Sequence, residues 1–210
     1  MLTLNNIQQA LRISGFDSTA AHDNMSPQPR VRVRPPDKPG RVRCGAVLLL
    51  LYRKDKKVYT ALIRRQENLK YHPGQLSLPG GRRERNESFM TAALRETHEE
   101  VGLDPKMLTM LGGLAPVYIP PSDYCVHPFA AWHDGTPVFK LSAEEVAEIF
   151  EIPVERLLHP ASRGVETRDQ GPQRTTIPYF KINEHRAWGA TAMILNEFLE
   201  RLQAALHSET

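Results

Sequence analysis

The chain has 210 residues, of which 40% are apolar and 24% charged, and carries a net charge of +3. That size and apolar content suit one buried core with terminal extensions and exclude a disordered tail protein. A charge this mild argues against a surface built for duplex nucleic acid and is compatible with a small polyanionic ligand.

Two cysteines, Cys44 and Cys125, with no Cys-x-x-Cys or Cys/His cluster, give no zinc site. They read as reduced, mostly buried thiols. The first residues lack a basic stretch followed by an apolar one, so no secretory signal is expected. The longest apolar run, Ala46 to Tyr52, is the length of a buried strand and far short of a membrane span. A cytoplasmic protein is the expectation.

Leu4, Ile7 and Leu11 mark a short amphipathic helix. Residues 17–41 read as a connector in which Pro27, Pro29, Pro35, Pro36 and Pro39 forbid helix. Within it Arg30-Val31-Arg32-Val33-Arg34 alternates as an extended arm. Residues 1–41 thus form a helix and a Pro/Arg-rich arm, and residues 42–206 the main domain. Val42–Tyr52 and Lys57–Arg65 are strand-like, joined by a hairpin turn at Arg53-Lys54-Asp55-Lys56.

A loop with Pro73, Gly74, Pro79, Gly80 and Gly81 follows. A helix then runs from about Ser88 to Val101, capped by Asn86 or Ser88, stopped by Gly102 and kept from resuming by Pro105. Further strands are expected at Leu108–Ala115, Val126–Trp132, Glu148–Ile152 and Ile177–Ile182. A short helix is expected at Pro153–Leu158 and a last one at Ala190–Leu206, with Ala192, Ile194, Leu195, Phe198, Leu199 and Leu202 in the core. No internal repeat is visible. Strands interleaved with few helices predict an α/β chain of the α+β type, a mixed sheet covered by helices.

The central helix carries the chemical signal. On its wheel Met90, Leu94, Thr97 and Val101 form a core stripe. Glu96, Glu99 and Glu100 fall together on another, spaced i, i+3, i+4, where like charges destabilise a bare helix. Gly80-Gly81 directly precedes it and can bring backbone carbonyls to the same carboxylates. Hard oxygen donors of this kind suit Mg²⁺ or Mn²⁺.

Gly81, Glu87, Arg95, Glu96, Glu99, Glu100, Gly102 and Leu103 stand at the fixed positions of the Nudix box, with Thr97 the one departure. The chain therefore resembles a Nudix hydrolase. That resemblance implies an α/β/α sandwich around a mixed sheet and metal-dependent cleavage of a nucleoside diphosphate linkage. It implies Glu96, Glu99 and Glu100, with the Gly81 carbonyl, as metal donors, and Glu87 and Arg95 as an ion pair bracing loop and helix. A general base comes from the box or from a later loop, where Glu144 and Glu145 are candidates and Glu145 the better one.

The flank is similar to the coenzyme A pyrophosphatase subfamily. Leu62, Arg65, Gly74, Pro79, Gly80 and Gly81 agree with its signature, Lys70 and Leu78 are conservative replacements, and Ala61, Ile63 and Gln66 depart. His72-Pro73-Gly74-Gln75 and Trp188-Gly189-Ala190-Thr191-Ala192 also look like that subfamily. The resemblance implies cleavage of coenzyme A or acyl-CoA to 3′,5′-ADP and (acyl-)4′-phosphopantetheine, with Arg65, Lys70, Gly74 and Gly80 at the substrate. Arg65 and Lys70 are placed to meet the ribose phosphate.

The alternatives are another substrate such as ADP-ribose or a nucleoside triphosphate, and a non-catalytic Nudix-like ligand sensor. The partner expected is a small molecule, with no nucleic acid and no membrane. A homodimer is compatible with the sequence.

Overall fold

A computed structural model describes residues 2–29, 43–170 and 173–207. Among these residues eleven strands and five α-helices are arranged around β1 (Arg43–Lys54), which holds the apolar run of the sequence. β1 pairs in parallel with β7 (Tyr124–His133) and antiparallel with β2 (Lys57–Arg65) and β4 (Gly80–Arg82). The main sheet is therefore mixed, in the order β3 (Leu76–Ser77), β2, β1, β7, β5 (Leu108–Gly113). Short β6 (Val117–Ile119) pairs with β7, and β8 (Val146–Pro153) with β2. The hairpin between β1 and β2 turns on Asp55 and Lys56, both at positive φ, as a two-residue turn matching the strand twist requires.

β1 is apolar throughout because both its faces are covered. Ala46, Leu48 and Leu50 pack towards α3 (Phe89–Val101), with Ala92, Ala93 and Val101. Leu49 and Leu51 belong to the larger cluster with Ile194, Phe198 and Leu199 of α5 (Gly189–His207) and Ile7 of α1 (Leu4–Arg12). Helices thus cover both faces of the mixed sheet, as expected. All six core residues expected in the last helix are buried.

Several expectations need correction. Residues 17–41 are not all connector: Ser18–Asp23 forms α2, capped where the Ala20 N–H donates to Asp17 Oδ1 at 2.9 Å. The prolines begin only at Pro27, after this turn of helix. The Arg30–Arg34 arm lies outside the described residues. The strand expected at Leu108–Ala115 is β5, which ends at Gly113, and β6 follows as a separate short strand. A second, three-stranded sheet of β9 (Arg163–Gln170), β10 (Gln173–Ile182) and β11 (His185–Trp188) was only partly anticipated. Ser88, not Asn86, caps α3, since its Oγ accepts from Thr91 N while Asn86 sits at φ 69° in the preceding turn. Met90 is 42% exposed and leaves the core stripe, where Ala92 and Ala93 stand instead. The two cysteines are free thiols but only half-buried, facing each other across β1 and β7. Among the described residues no helix is long and apolar enough to cross a membrane.

Candidate active site

The site forms where β1 changes partner. Its Leu51–Lys54 half pairs with β2 and its Gly45–Val47 half with β4, which opens the sheet beside the N-terminal end of β4. Gly80 sits at φ +146°, a conformation side chains avoid, and a Cβ there would strike the Ala46 carbonyl. A Cβ on Gly81 would strike the Glu96 carboxylate. The missing side chains let this backbone lie against the acidic face of α3.

Glu100 is 1% exposed. Its Oε2 accepts from the Gly80 N–H at 2.8 Å and its Oε1 from Arg65 Nη1 at 3.2 Å. Burial dominates these contacts and, with Glu145 and Glu96 nearby, pushes its carboxyl up to about 8. Burial also raises Glu96, against the pull of Arg95. Glu99 lies half-exposed at the rim, accepting from Arg95 Nη1 at 3.0 Å. Glu100 thus shares the chemistry of the three-carboxylate stripe but faces inward.

Arg95 ties the region together. It donates to Glu87 at 2.8 and 3.2 Å, to Glu96 at 2.9 Å and to the Arg82 carbonyl at 3.1 Å. The hydrogen bond from Arg95 holds the Glu87 carboxyl below its usual range, and Glu87 also accepts from the Glu84 N–H at 2.7 Å. This pair braces the loop against the helix. At the other end of α3, Gly102 takes the left-handed C-cap at φ 74°, close against Lys140.

The 140–146 segment is fastened to that end. Lys140 N–H donates to the Val101 carbonyl and Ser142 N–H to the Glu100 carbonyl, both at 2.9 Å. Glu145, half-buried, is fixed through its own carbonyl, which accepts from Gln66 N–H at 2.9 Å. Its charge is felt by both Glu96 and Glu100. Glu144 is exposed.

The other candidates divide. Arg65 is turned towards Glu100 and therefore to the acidic centre. Lys70 is exposed in the loop, with Nζ 5.4 Å from the Tyr71 ring centre. Gly74 takes φ +65° in the same loop, where a Cβ would meet the Glu67 carboxylate. An open cleft of about 610 Å³ lined by Lys57, Arg156 and Lys181 lies at the far end of β2 and includes none of these residues.

Tyr124 was not singled out by the sequence. It opens β7, yet a Cβ on Gly45 of β1 would strike both the Tyr124 hydroxyl and the Gly81 carbonyl. The phenol reaches across β1 towards the Gly81 backbone, and burial, then Glu96, raise it above its usual range. No local pattern could have revealed it, because the contact depends on the β4–β1–β7 order.

The donors fit a hard divalent cation in kind: Glu96, Glu99 and Glu100 oxygens and the Gly81 carbonyl, around a buried carboxylate that resists ionising. They are not yet gathered at one point. Among the described residues no three His, Cys, Asp or Glu side chains stand ready around an ion, and Arg65 and Arg95 are paired with the carboxylates.

The NUDIX domain model matches residues 42–172, more than half of the chain. The chain belongs to the Nudix family. It is 30% identical over 179 residues to a probable nudix hydrolase of Schizosaccharomyces pombe, covering 83% of this chain and 61% of that protein. It is 36% identical over 116 residues to a peroxisomal coenzyme A diphosphatase of Mus musculus, covering 55% of this chain and 49% of that protein. The chain thus spans about half to three fifths of the length of these two relatives. A solved MutT/nudix family protein from Enterococcus faecalis superposes over 97% of this chain and 76% of its own, with a TM-score of 0.55 and 15% identity. That likeness concerns the fold alone.

Proposed function

We propose that this Nudix pyrophosphohydrolase cleaves the diphosphate of coenzyme A or an acyl-CoA, using Mg²⁺ or Mn²⁺. The observation that carries the reading is Glu100, a carboxylate buried beside the Gly80-Gly81 backbone whose contacts do not compensate its charge. Glu96, Glu99, Glu100 and the Gly81 carbonyl would hold the cation once the Arg95 contacts are exchanged. A cation there neutralises the diphosphate and acidifies a water. Glu145 would accept the proton of that water as it attacks phosphorus and the P–O–P bond breaks. Glu87 and Arg95 keep loop and helix in register throughout. The products would be 3′,5′-ADP and (acyl-)4′-phosphopantetheine.

Substrate choice rests on the flank and on a mouse relative named as a coenzyme A diphosphatase. Arg65 is engaged with Glu100, so Lys70 is the better placed of the two cations for the ribose phosphate. The retained box glutamates favour catalysis over a ligand sensor. Cytoplasmic placement is part of the proposal, beside a relative whose name places it in the peroxisome.

The test compares kcat/KM for coenzyme A, dephospho-coenzyme A and ADP-ribose with Mg²⁺ or Mn²⁺. Coenzyme A should lead, EDTA should abolish turnover, and Lys70→Ala should shrink the preference for coenzyme A over the dephospho form by about tenfold. A wild type preferring ADP-ribose or a nucleoside triphosphate would sink the substrate assignment and leave the family untouched.

A further inference from the structure

We propose that the Tyr124 hydroxyl is a substrate contact, donating a hydrogen bond to a non-bridging oxygen of the bound diphosphate. The inference rests on the reading of the site as one for diphosphate hydrolysis and on nothing specific to coenzyme A.

Three observations converge on it. The first is reach. Tyr124 is on β7, the Gly80–Gly81 backbone that lies against Glu96 is on β4, and β1 lies between them. The phenol crosses that gap only because position 45 has no side chain: a single methyl group there would collide with the Tyr124 hydroxyl and with the Gly81 carbonyl. Gly45 is not at positive φ, so clearance and not backbone conformation is what glycine supplies here.

The second is surroundings. The Tyr124 ring packs on the main core, which fixes its direction, while its oxygen comes close to Glu96 and Gly81. The third is its partner. Among the described residues the hydroxyl makes no hydrogen bond to the protein, although the neighbouring Tyr118 hydroxyl donates to Asp123 at 2.8 Å. A tyrosine kept for packing alone has no need to place its oxygen beside the glycine backbone that lies against Glu96. A neutral O–H donor beside a cation-holding carbonyl is placed to meet a phosphate oxygen carried by that cation.

Tyr124→Phe tests this with the ring and its packing retained. On whichever diphosphate the wild type cleaves best, kcat/KM should fall about 10- to 100-fold. The Mn²⁺ dissociation constant, read by electron paramagnetic resonance of the free ion without substrate, should stay the same, and so should Tm. An unchanged kcat/KM overturns the proposal. A matching loss of Mn²⁺ affinity also overturns it, since the hydroxyl would then serve the Gly81 carbonyl. A variant impaired on ADP-ribose, in an enzyme that ignores coenzyme A, upholds the contact and rejects only the substrate reading.

Discussion

Two glutamates in this chain are buried to the same degree and behave in opposite ways. Glu197 of α5 is 0% exposed, yet every side of its carboxylate is occupied. It accepts from Ser18 Oγ at 2.9 Å, His22 Nε2 at 2.8 Å, Arg201 Nε at 3.0 Å and the Ala115 N–H at 3.1 Å. Burial alone would raise its carboxyl, but His22, then Ser18, hold it below the usual range. Glu100 has one guanidinium, one backbone N–H and two carboxylate neighbours, and is raised to about 8. One carboxylate anchors α2 and the segment after β5 to α5. The other is left short of compensation beside an open loop, where a ligand can complete it.

The contrast can be broken by mutation. On the proposed metal assignment, Glu99→Gln and Glu100→Gln should each lower turnover at least about 100-fold, since each would remove a charged donor. The fold should survive, and Glu100→Gln should melt no lower than wild type without metal. Near-normal turnover in both variants would refute the metal assignment. Glu145→Gln should reduce turnover with Mn²⁺ affinity kept, a pattern expected of a proton acceptor and not of a ligand.

Glu197→Gln should do the reverse. Leaving His22 and Arg201 without their shared anion should destabilise the chain by about 3 kcal/mol in denaturant titration, with kcat intact well below Tm. A loss of kcat with stability unchanged would place Glu197 in the wrong category.

The two carboxylates also part in their response to pH. Glu100 has a folded-state pKa above its ordinary 4.5, so the neutral form is favoured by folding. Metal-free protein should therefore lose stability as pH rises from about 4.5 through about 8, within the field of Arg65, Glu145 and Glu96. Glu197, with a lowered pKa, adds stability above that ordinary value that is lost as pH falls through its folded value. If Glu100 holds the metal as proposed, the ion displaces its proton, and Mn²⁺ affinity should climb about tenfold per pH unit up to pH 8. A flat Mn²⁺ affinity in the wild type, or a slope unchanged in Glu100→Gln, would contradict this.

The parts legible in the sequence were those whose pattern is local. β1 and β2 show as apolar runs, α3 through its cap, its glycine stop and its glutamates, and α5 through its buried stripe. β9 escaped notice because Arg163–Gln170 is mostly polar and becomes a strand by pairing with β10, not by burying a face. α2 was hidden by the prolines downstream of it. Met90 fitted the helical period but is exposed, and its neighbour Phe89 makes the contact with the sheet by stacking on His127 of β7. Arg65 was found but not its direction, since side-chain aim depends on Glu100, 35 residues away. The Gly45 window for Tyr124 lies in strand order, which no local spacing encodes.

The short β3 has a consequence for how such a site can change. Ile63 and Arg64 pair with Ser77 and Leu76, and the Arg65 N–H donates to the Gln75 carbonyl. The loop from 66 to 74, with Lys70 and Gly74, is thus closed off by a clasp before the chain reaches Gly80. Insertions or deletions in that loop should be absorbed there without shifting the glycines that face Glu96 and Glu100. If Lys70 selects the substrate as proposed, that selection can change with the loop's length and composition while the glycines facing Glu96 and Glu100 keep their register.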